Sequence, residues 1–163
     1  MPDYMRTLWQ SGLCPYLVPA AFYEDRGRTR RILRAEGLIQ VRDYAALCPD
    51  GIEDSFCRLL EMLSSAADSM FQLQLWMADP PFISLRPEDL YYTDERKTAL
   101  LLFSGEPDPR PFSARFCDLC SGLGGSGDLI ASRLSEACGC RILEEKAVSA
   151  FLQNWSREIR AER

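Results

Sequence analysis

The chain has 163 residues, of which 47% are apolar and 26% charged, so it is long enough to bury the core of one globular domain. Its formal net charge of -5 argues against nucleic acid as a partner, because that affinity comes mostly from lysine and arginine neutralising phosphates. The chain contains no histidine, which excludes the histidine-based nucleophile, general-base and metal-ligand arrangements that many enzymes use.

The first predicted elements are a short helix and a β-hairpin. Asp3 to Gly12 predicts a helix that ends at the glycine, after which Pro15 forces the chain to run extended. Apolar and polar residues then alternate on both sides of DRGR, a turn in which Gly27 tolerates a positive φ angle. This pattern predicts a hairpin of Tyr16 to Glu24 with Thr29 to Ala35.

Two helices are expected next. The first is short, around Arg42 to Leu47, and the turn CPDG at Cys48 to Gly51 closes it. In the following stretch, IEDSFCRLLEMLSSAADSMFQLQLWM, apolar residues recur at steps of three and four. This spacing predicts one long helix with a buried apolar face.

The second half of the chain predicts another hairpin and three more helices. LYYT pairs with TALLLF around the turn DERK, and the proline-rich run from Glu106 to Pro111 is a linker. Helices are expected over Phe112 to Leu123, Asp128 to Ala137 and Leu143 to Arg160. The sequence GLGGSG matches G-x-G-x-x-G but lies between two helices, which favours a flexible interhelical loop over a dinucleotide site. The fold class is therefore α+β.

The stretch PFISLRPEDLYYTDERKTALLLFSG resembles the catalytic loop of protein kinases and the magnesium-binding strand behind it. In the kinase pattern a His-Arg-Asp triplet precedes L-K-P-E-N, and the next strand ends in Asp-Phe-Gly. This chain keeps the frame Leu85, Arg86, Pro87 and Glu88. The substituted positions are Phe82, Ile83 and Ser84 for the first triplet, Asp89 for the asparagine, and Phe103, Ser104 and Gly105 for the last triplet.

The kinase resemblance implies a fold without its chemistry. The order of elements is that of a kinase beginning at the helix after its third strand, so the glycine-rich loop and the phosphate-binding lysine are absent from this chain. We expect no catalytic, cofactor-binding or metal-binding residues, no cofactor, and no enzymatic activity. We expect one truncated kinase-like domain over 1–163, with a small antiparallel hairpin lobe at about 1–41 and a mainly helical lobe at about 42–163 that carries the second hairpin.

A second resemblance covers the chain from about Tyr16 onward. The stretches YLVPAAFYED, DYAAL, LRPEDLYY and DLIASRLSEACGCRILEEKAVSAFL are similar to an uncharacterised bacterial domain of unknown function, which usually lies N-terminal to forkhead-associated domains. This resemblance implies a pseudokinase-like remnant in signalling or secretion-associated proteins. The chain itself carries no forkhead-associated domain, so phosphothreonine reading is not implied for it.

Two residue clusters suggest binding chemistry. Cys117, Cys120, Cys138 and Cys140 offer four thiols to a zinc or redox module, although Cys117 and Cys120 lie one helical turn apart on an apolar face, as core cysteines do. Arginines crowd the first hairpin, where alternation places Arg28, Arg30 and Arg34 on one face. They form either a contact for an anion or an acidic partner, or a solvated surface that discourages edge pairing.

The location expected from the sequence is the cytoplasm. Apolar runs such as Leu100 to Phe103 are far shorter than the roughly 20 residues of a membrane-spanning helix, and the N-terminus lacks the pattern of a secretory signal. The 7 cysteines, an odd number, are typical of reduced thiols. We expect a non-catalytic interaction or scaffold module with a protein partner and no membrane insertion, and the zinc or redox module is the alternative. The sequence does not fix the oligomeric state.

Overall fold

The computed structural model describes residues 1–48, 52–139 and 143–163, so most of the predicted CPDG turn and Cys140 lie outside the described residues. The described helices are α1 (Asp3–Ser11), α2 (Val41–Leu47), α3 (Glu53–Leu75), α4 (Phe112–Gly122), α5 (Ser126–Cys138) and α6 (Glu145–Ala161). The strands are β1 (Ala20–Asp25), β2 (Arg28–Leu33), β3 (Ile39–Gln40), β4 (Tyr91–Thr93) and β5 (Thr98–Leu100). The mixed α+β class predicted from the sequence is confirmed.

The first hairpin forms around Arg26 and Gly27, whose φ angles of 49° and 74° give a turn that matches the right-handed twist of the two strands. It is shorter than predicted at its start, because β1 begins at Ala20. The preceding segment pairs elsewhere: the Val18 N–H donates to the Leu101 carbonyl at 3.0 Å. Alternation identified an extended chain there but could not identify its partner.

A second sheet joins the middle of the chain to the loop region. Its order is β3-β4-β5, with Ile39 opposite Tyr92 and Tyr92 opposite Ala99. Strand β3 spans two residues and was not predicted, because so short a strand shows no alternation of its own and forms only by pairing with β4. The sheet lies against α3, where the Ser69 hydroxyl donates to the Ala99 carbonyl at 2.7 Å.

Helix α3 is the centre of the core and packs along α6. Small side chains at the contact let the helices approach, and the hydroxyls of Ser64 and Ser149 lie 2.9 Å apart and satisfy each other in the buried interface. Buried side chains from both predicted lobes, among them Trp9, Leu63 and Phe103, belong to one continuous hydrophobic cluster. None of the helices in the described ranges combines the length and apolar character that crossing a membrane needs.

Candidate functional site

The loop that resembles a catalytic loop is held against the strand segment that follows β5. Ile83 and Phe103 form an antiparallel bridge, in which the Ser84 N–H donates to the Leu102 carbonyl at 2.8 Å and the Ser104 N–H donates to the Phe82 carbonyl at 2.6 Å. Ile83 and Phe103 are fully buried. Core side chains therefore anchor the loop independently of its polar side chains.

Asp89, which stands at the metal-binding position of the kinase pattern, is 7% exposed and neutralised within the loop. The Ser84 hydroxyl donates to its Oδ2 at 2.6 Å, and Arg86 donates through Nε at 2.9 Å. The Arg86 Nη2 lies 2.8 Å from the same oxygen, and this hydrogen-bonded pairing raises the pKa of Arg86. A magnesium ion would have to displace a guanidinium to reach this oxygen.

The positions of the kinase pattern come together only in part. Ser84 and Asp89 come together, as described, but the Phe103 side chain points into the core, where its ring meets the Trp9 ring edge-on at 5.6 Å. Ser104 lines a cleft of about 410 Å³ between the loop and the linker, here called the loop cleft, and Ile83 and Ser84 line the same cleft. Among the described residues no group of three His, Cys, Asp or Glu side chains is placed to hold a metal ion.

The opposite wall of the loop cleft is an ion-pair network from the linker and α4. Arg110 pairs with Asp108 at 2.8 Å and also with Asp118. The side-chain hydrogen bond from Arg110 is the main reason that the pKa of Asp108 falls from 3.8 to about 2. The cleft therefore contains both signs of charge, and its own residues already pair them.

Arg115 joins the two walls and was missed by sequence reasoning. It is 5% exposed, donates to the Pro80 carbonyl at 3.0 Å and to the Ile83 carbonyl, and lies 3.5 Å from Asp108. Burial lowers the pKa of this guanidinium, and its Nε has no hydrogen-bond acceptor among the described residues. The signal in the sequence is an arginine directly before Phe116, on a helix whose neighbouring residues are core.

The glycines of GLGGSG allow close packing of the two helices they join. A side-chain Cβ at Gly122 would come within 2.4 Å of Pro87 Cγ, and one at Gly127 would come within 2.2 Å of the Cys120 carbonyl oxygen. The glycines thus bring the α4–α5 junction against the loop and against itself. The stretch connects two helices, as the absence of a preceding strand predicted. Its ends at Gly122 and Gly127 are tightly packed, whereas Gly124 and Gly125 are exposed and a Cβ at either would meet nothing within 4 Å.

The four-thiol site is not supported by the described cysteines. Cys120 is fully buried in the core, and burial raises the pKa of its thiol far above the ordinary value, which disfavours the thiolate that zinc requires. Cys117 is half-buried and accepts a weak hydrogen bond from the Ser135 hydroxyl at 3.8 Å. Cys138 is half-buried, and Cys140 lies outside the described residues.

None of the arginines of the first hairpin lines the loop cleft. Arg30 forms an exposed ion pair with Asp25 at 2.8 Å, whereas Arg28 and Arg34 form none with the described residues. Arg31, which was not singled out, instead faces inward: it donates to the Phe103 carbonyl at 2.7 Å and lies over the Trp9 ring. The predicted contact residues Arg28, Arg30 and Arg34 are thus exposed, and nothing bound identifies their partner.

Comparison with known proteins gives one informative likeness. No protein-family model matches the chain, and no curated protein matches it. The chain is similar to the crystal structure of an EssB cytoplasmic fragment from Staphylococcus aureus, with a TM-score of 0.50 and 15% sequence identity over 100% of this chain and 94% of that one. At this identity the likeness shows the fold alone, and the forkhead-associated-linked family stays a prediction.

Proposed function

We propose that the chain is a non-catalytic protein-interaction or scaffold module with a pseudokinase-like fold, acting in the cytoplasm in bacterial signalling or secretion. The observation that carries this proposal is the state of Asp89, whose carboxylate is occupied by Ser84 and Arg86 within the loop. The extensive overlap with the EssB cytoplasmic fragment supports a shared fold with a bacterial protein.

The chemistry of phosphoryl transfer argues for the non-catalytic assignment. That reaction depends almost entirely on positioning the nucleotide and neutralising its charge, through a phosphate-binding loop and lysine, magnesium and a catalytic aspartate. At the corresponding positions this chain has Ser84, the internally paired Asp89 and the buried Phe103. The loop then serves to hold the hairpin region and the helical region together, because it contacts the core of both.

Calorimetric titration with ATP and magnesium tests the proposal directly. We expect no saturable heat at nucleotide concentrations in the micromolar range, and no release of phosphate from ATP. Micromolar binding that requires magnesium and is lost in Asp89→Asn, but kept in the matched surface variant Asp94→Asn, would refute the proposal. Asp94 is a suitable control because its carboxylate pairs with Arg58 on the exposed side of the β4–β5 turn.

A further inference from the structure

The outer face of the first hairpin is set by how its inner face packs. Phe22 meets the Trp9 ring edge-on at 5.2 Å, and Arg31 lies over the same ring at 5.1 Å. Phe22 and Arg31 are opposite each other in the β1–β2 register, so both belong to the inner face. Side chains alternate along a strand, and the neighbouring pairs must therefore face away from the body of the protein.

That outer face is cationic around an apolar centre. Its facing pairs are Ala21 with Ile32, Tyr23 with Arg30 and Asp25 with Arg28, and Arg34 continues the same alternation. Tyr23 is 46% exposed and Ile32 is 57% exposed. Asp25 neutralises only Arg30, so Arg28 and Arg34 have no ion-pair partner among the described residues. This positive charge is local, because the net charge of the whole chain is -5.

The free edge of this hairpin is the edge of β2. The Arg34 N–H donates to the Pro19 carbonyl at 2.7 Å, which fixes the even-numbered residues of β2 as those whose backbone groups face β1. The N–H and C=O groups of Thr29, Arg31 and Leu33 then face outward. No described residue forms a backbone hydrogen bond with them, so the strand keeps a row of donors and acceptors available for pairing.

Charge distinguishes the partners that this edge accepts. Strand β1 carries Glu24 and Asp25, whereas β2 carries Arg28, Arg30 and Arg31, so an acidic segment is attracted to the β2 edge and repelled by the β1 edge. A second copy of this chain paired β2 to β2 would place arginines against arginines, which is unfavourable across neighbouring strands. An extended acidic segment of another protein satisfies both the backbone groups and the cationic face.

We infer that β2 is the docking edge for an acidic, extended segment of a partner protein, which adds to the hairpin as a third strand. Backbone groups of Thr29, Arg31 and Leu33 supply the ladder, while Arg28, Arg30 and Arg34 select acidic side chains at alternate positions. The inference rests on the proposed interaction function, for which it names the surface and the class of partner.

Amide hydrogen exchange measured by NMR tests the ladder. The probe is a synthetic peptide of about eight residues in which glutamate and valine alternate. Saturating peptide should slow exchange at Thr29, Arg31 and Leu33 by roughly tenfold or more, because these amides are unpaired in the free chain. The Arg30 amide, already paired with β1, should change little. A peptide of the same length and charge, in which alternate valines are replaced by proline, should protect none of them.

Charge-reversal variants test the selection of acidic side chains. The double variant Arg28→Glu with Arg34→Glu should weaken peptide binding by roughly tenfold or more. The matched control, Arg42→Glu with Arg157→Glu, reverses two exposed arginines on α2 and α6 and should leave binding unchanged. Unaltered amide spectra away from the substituted positions confirm that both variants fold.

Three results would overturn the inference. The first is no protection at the three outward amides, and the second is equal weakening by both double variants. The third is protection that grows with protein concentration in the absence of peptide, which would assign the edge to a second copy of the chain. None of these results involves nucleotide, so failure here leaves the non-catalytic proposal standing, and magnesium-dependent ATP binding would refute that proposal independently.

Discussion

The loop cleft and the first hairpin differ in how their polar groups are satisfied. At the loop, Ser84 donates to Asp89 and Arg86 neutralises it, while Arg110 pairs with Asp108 of the linker and Asp118 of α4. At the hairpin, two arginines lack ion-pair partners among the described residues, and the β2 edge is open. The polar groups of the loop are therefore largely satisfied within the fold, whereas those of the hairpin are available to the partner proposed above.

The largest effect is expected for the substitution Arg115→Met, which tests the structural role of the loop. It removes the buried donor to the carbonyls of Pro80 and Ile83. The Pro80 carbonyl keeps the Ile83 N–H at 3.1 Å, but the buried Ile83 carbonyl loses its donor, so we expect a loss of about 3 kcal/mol in the free energy of unfolding. Denaturant unfolding measures it. The control Arg110→Met acts on an exposed ion pair and should cost much less. Equal costs would show that the buried guanidinium does not hold the loop.

A second test changes the contact between α4 and the loop. Gly122→Ala places a Cβ against the ring of Pro87, and overpacking of this kind costs about 2 kcal/mol. Gly105→Ala is the matched control, because nothing lies within 4 Å of a Cβ there, and we expect a change within about 0.5 kcal/mol. Thermal unfolding of the two variants measures the difference. Equal midpoint temperatures would contradict the packing role of Gly122.

The third test uses the pH dependence of the linker wall. The pKa of Asp108 is lowered to about 2 from 3.8, so its stabilising contribution is present above pH 3.8 and is lost as the pH falls towards 2. Its side chain is 35% exposed, and screening by solvent reduces the expected contribution to about 1 kcal/mol. Asp108→Asn should therefore flatten stability over this range. An unchanged acid slope would contradict the pairing, and high salt should shrink the difference between the two proteins.

The smallest expected effect is on the outer face of the hairpin. Ile32→Thr alters an exposed side chain and should change the free energy of unfolding by no more than about 0.5 kcal/mol. Ile83→Thr makes the same replacement at a fully buried position of the loop and should cost at least about 2 kcal/mol. A large loss at Ile32 would mean that the outer face is structural, which would remove the contrast between the two regions.

Local chemistry made most of the helices and turns predictable. Helix α1 ends before Gly12, whose φ of 66° is the left-handed conformation expected of a terminating glycine. Apolar spacing located α3 to within two residues at its ends. The pairing of β3 with β4 and of Leu17 with Leu101 was not predictable, because those contacts join segments far apart in sequence.

The sequence predicted which catalytic residues are missing from the site, but not which contacts its remaining residues make. The missing aspartates at Ser84 and Phe103 could be identified from the sequence alone. Two contacts depend on tertiary geometry: Arg86 neutralises Asp89, and Arg115 is buried among backbone carbonyls. Neither was predictable, because an arginine in a sequence is normally assigned to the surface.

Trp9 links the two regions through a single ring. Its indole N–H donates to the Val18 carbonyl at 2.6 Å, while its faces and edges contact Phe22, Arg31 and Phe103. The ring therefore lies directly beneath the inner face of the hairpin and against the strand that anchors the loop. Once the emission of Trp76 and Trp155 is subtracted with a Trp9→Phe variant, the fluorescence of Trp9 reports a shift of the hairpin relative to the loop without any attached label.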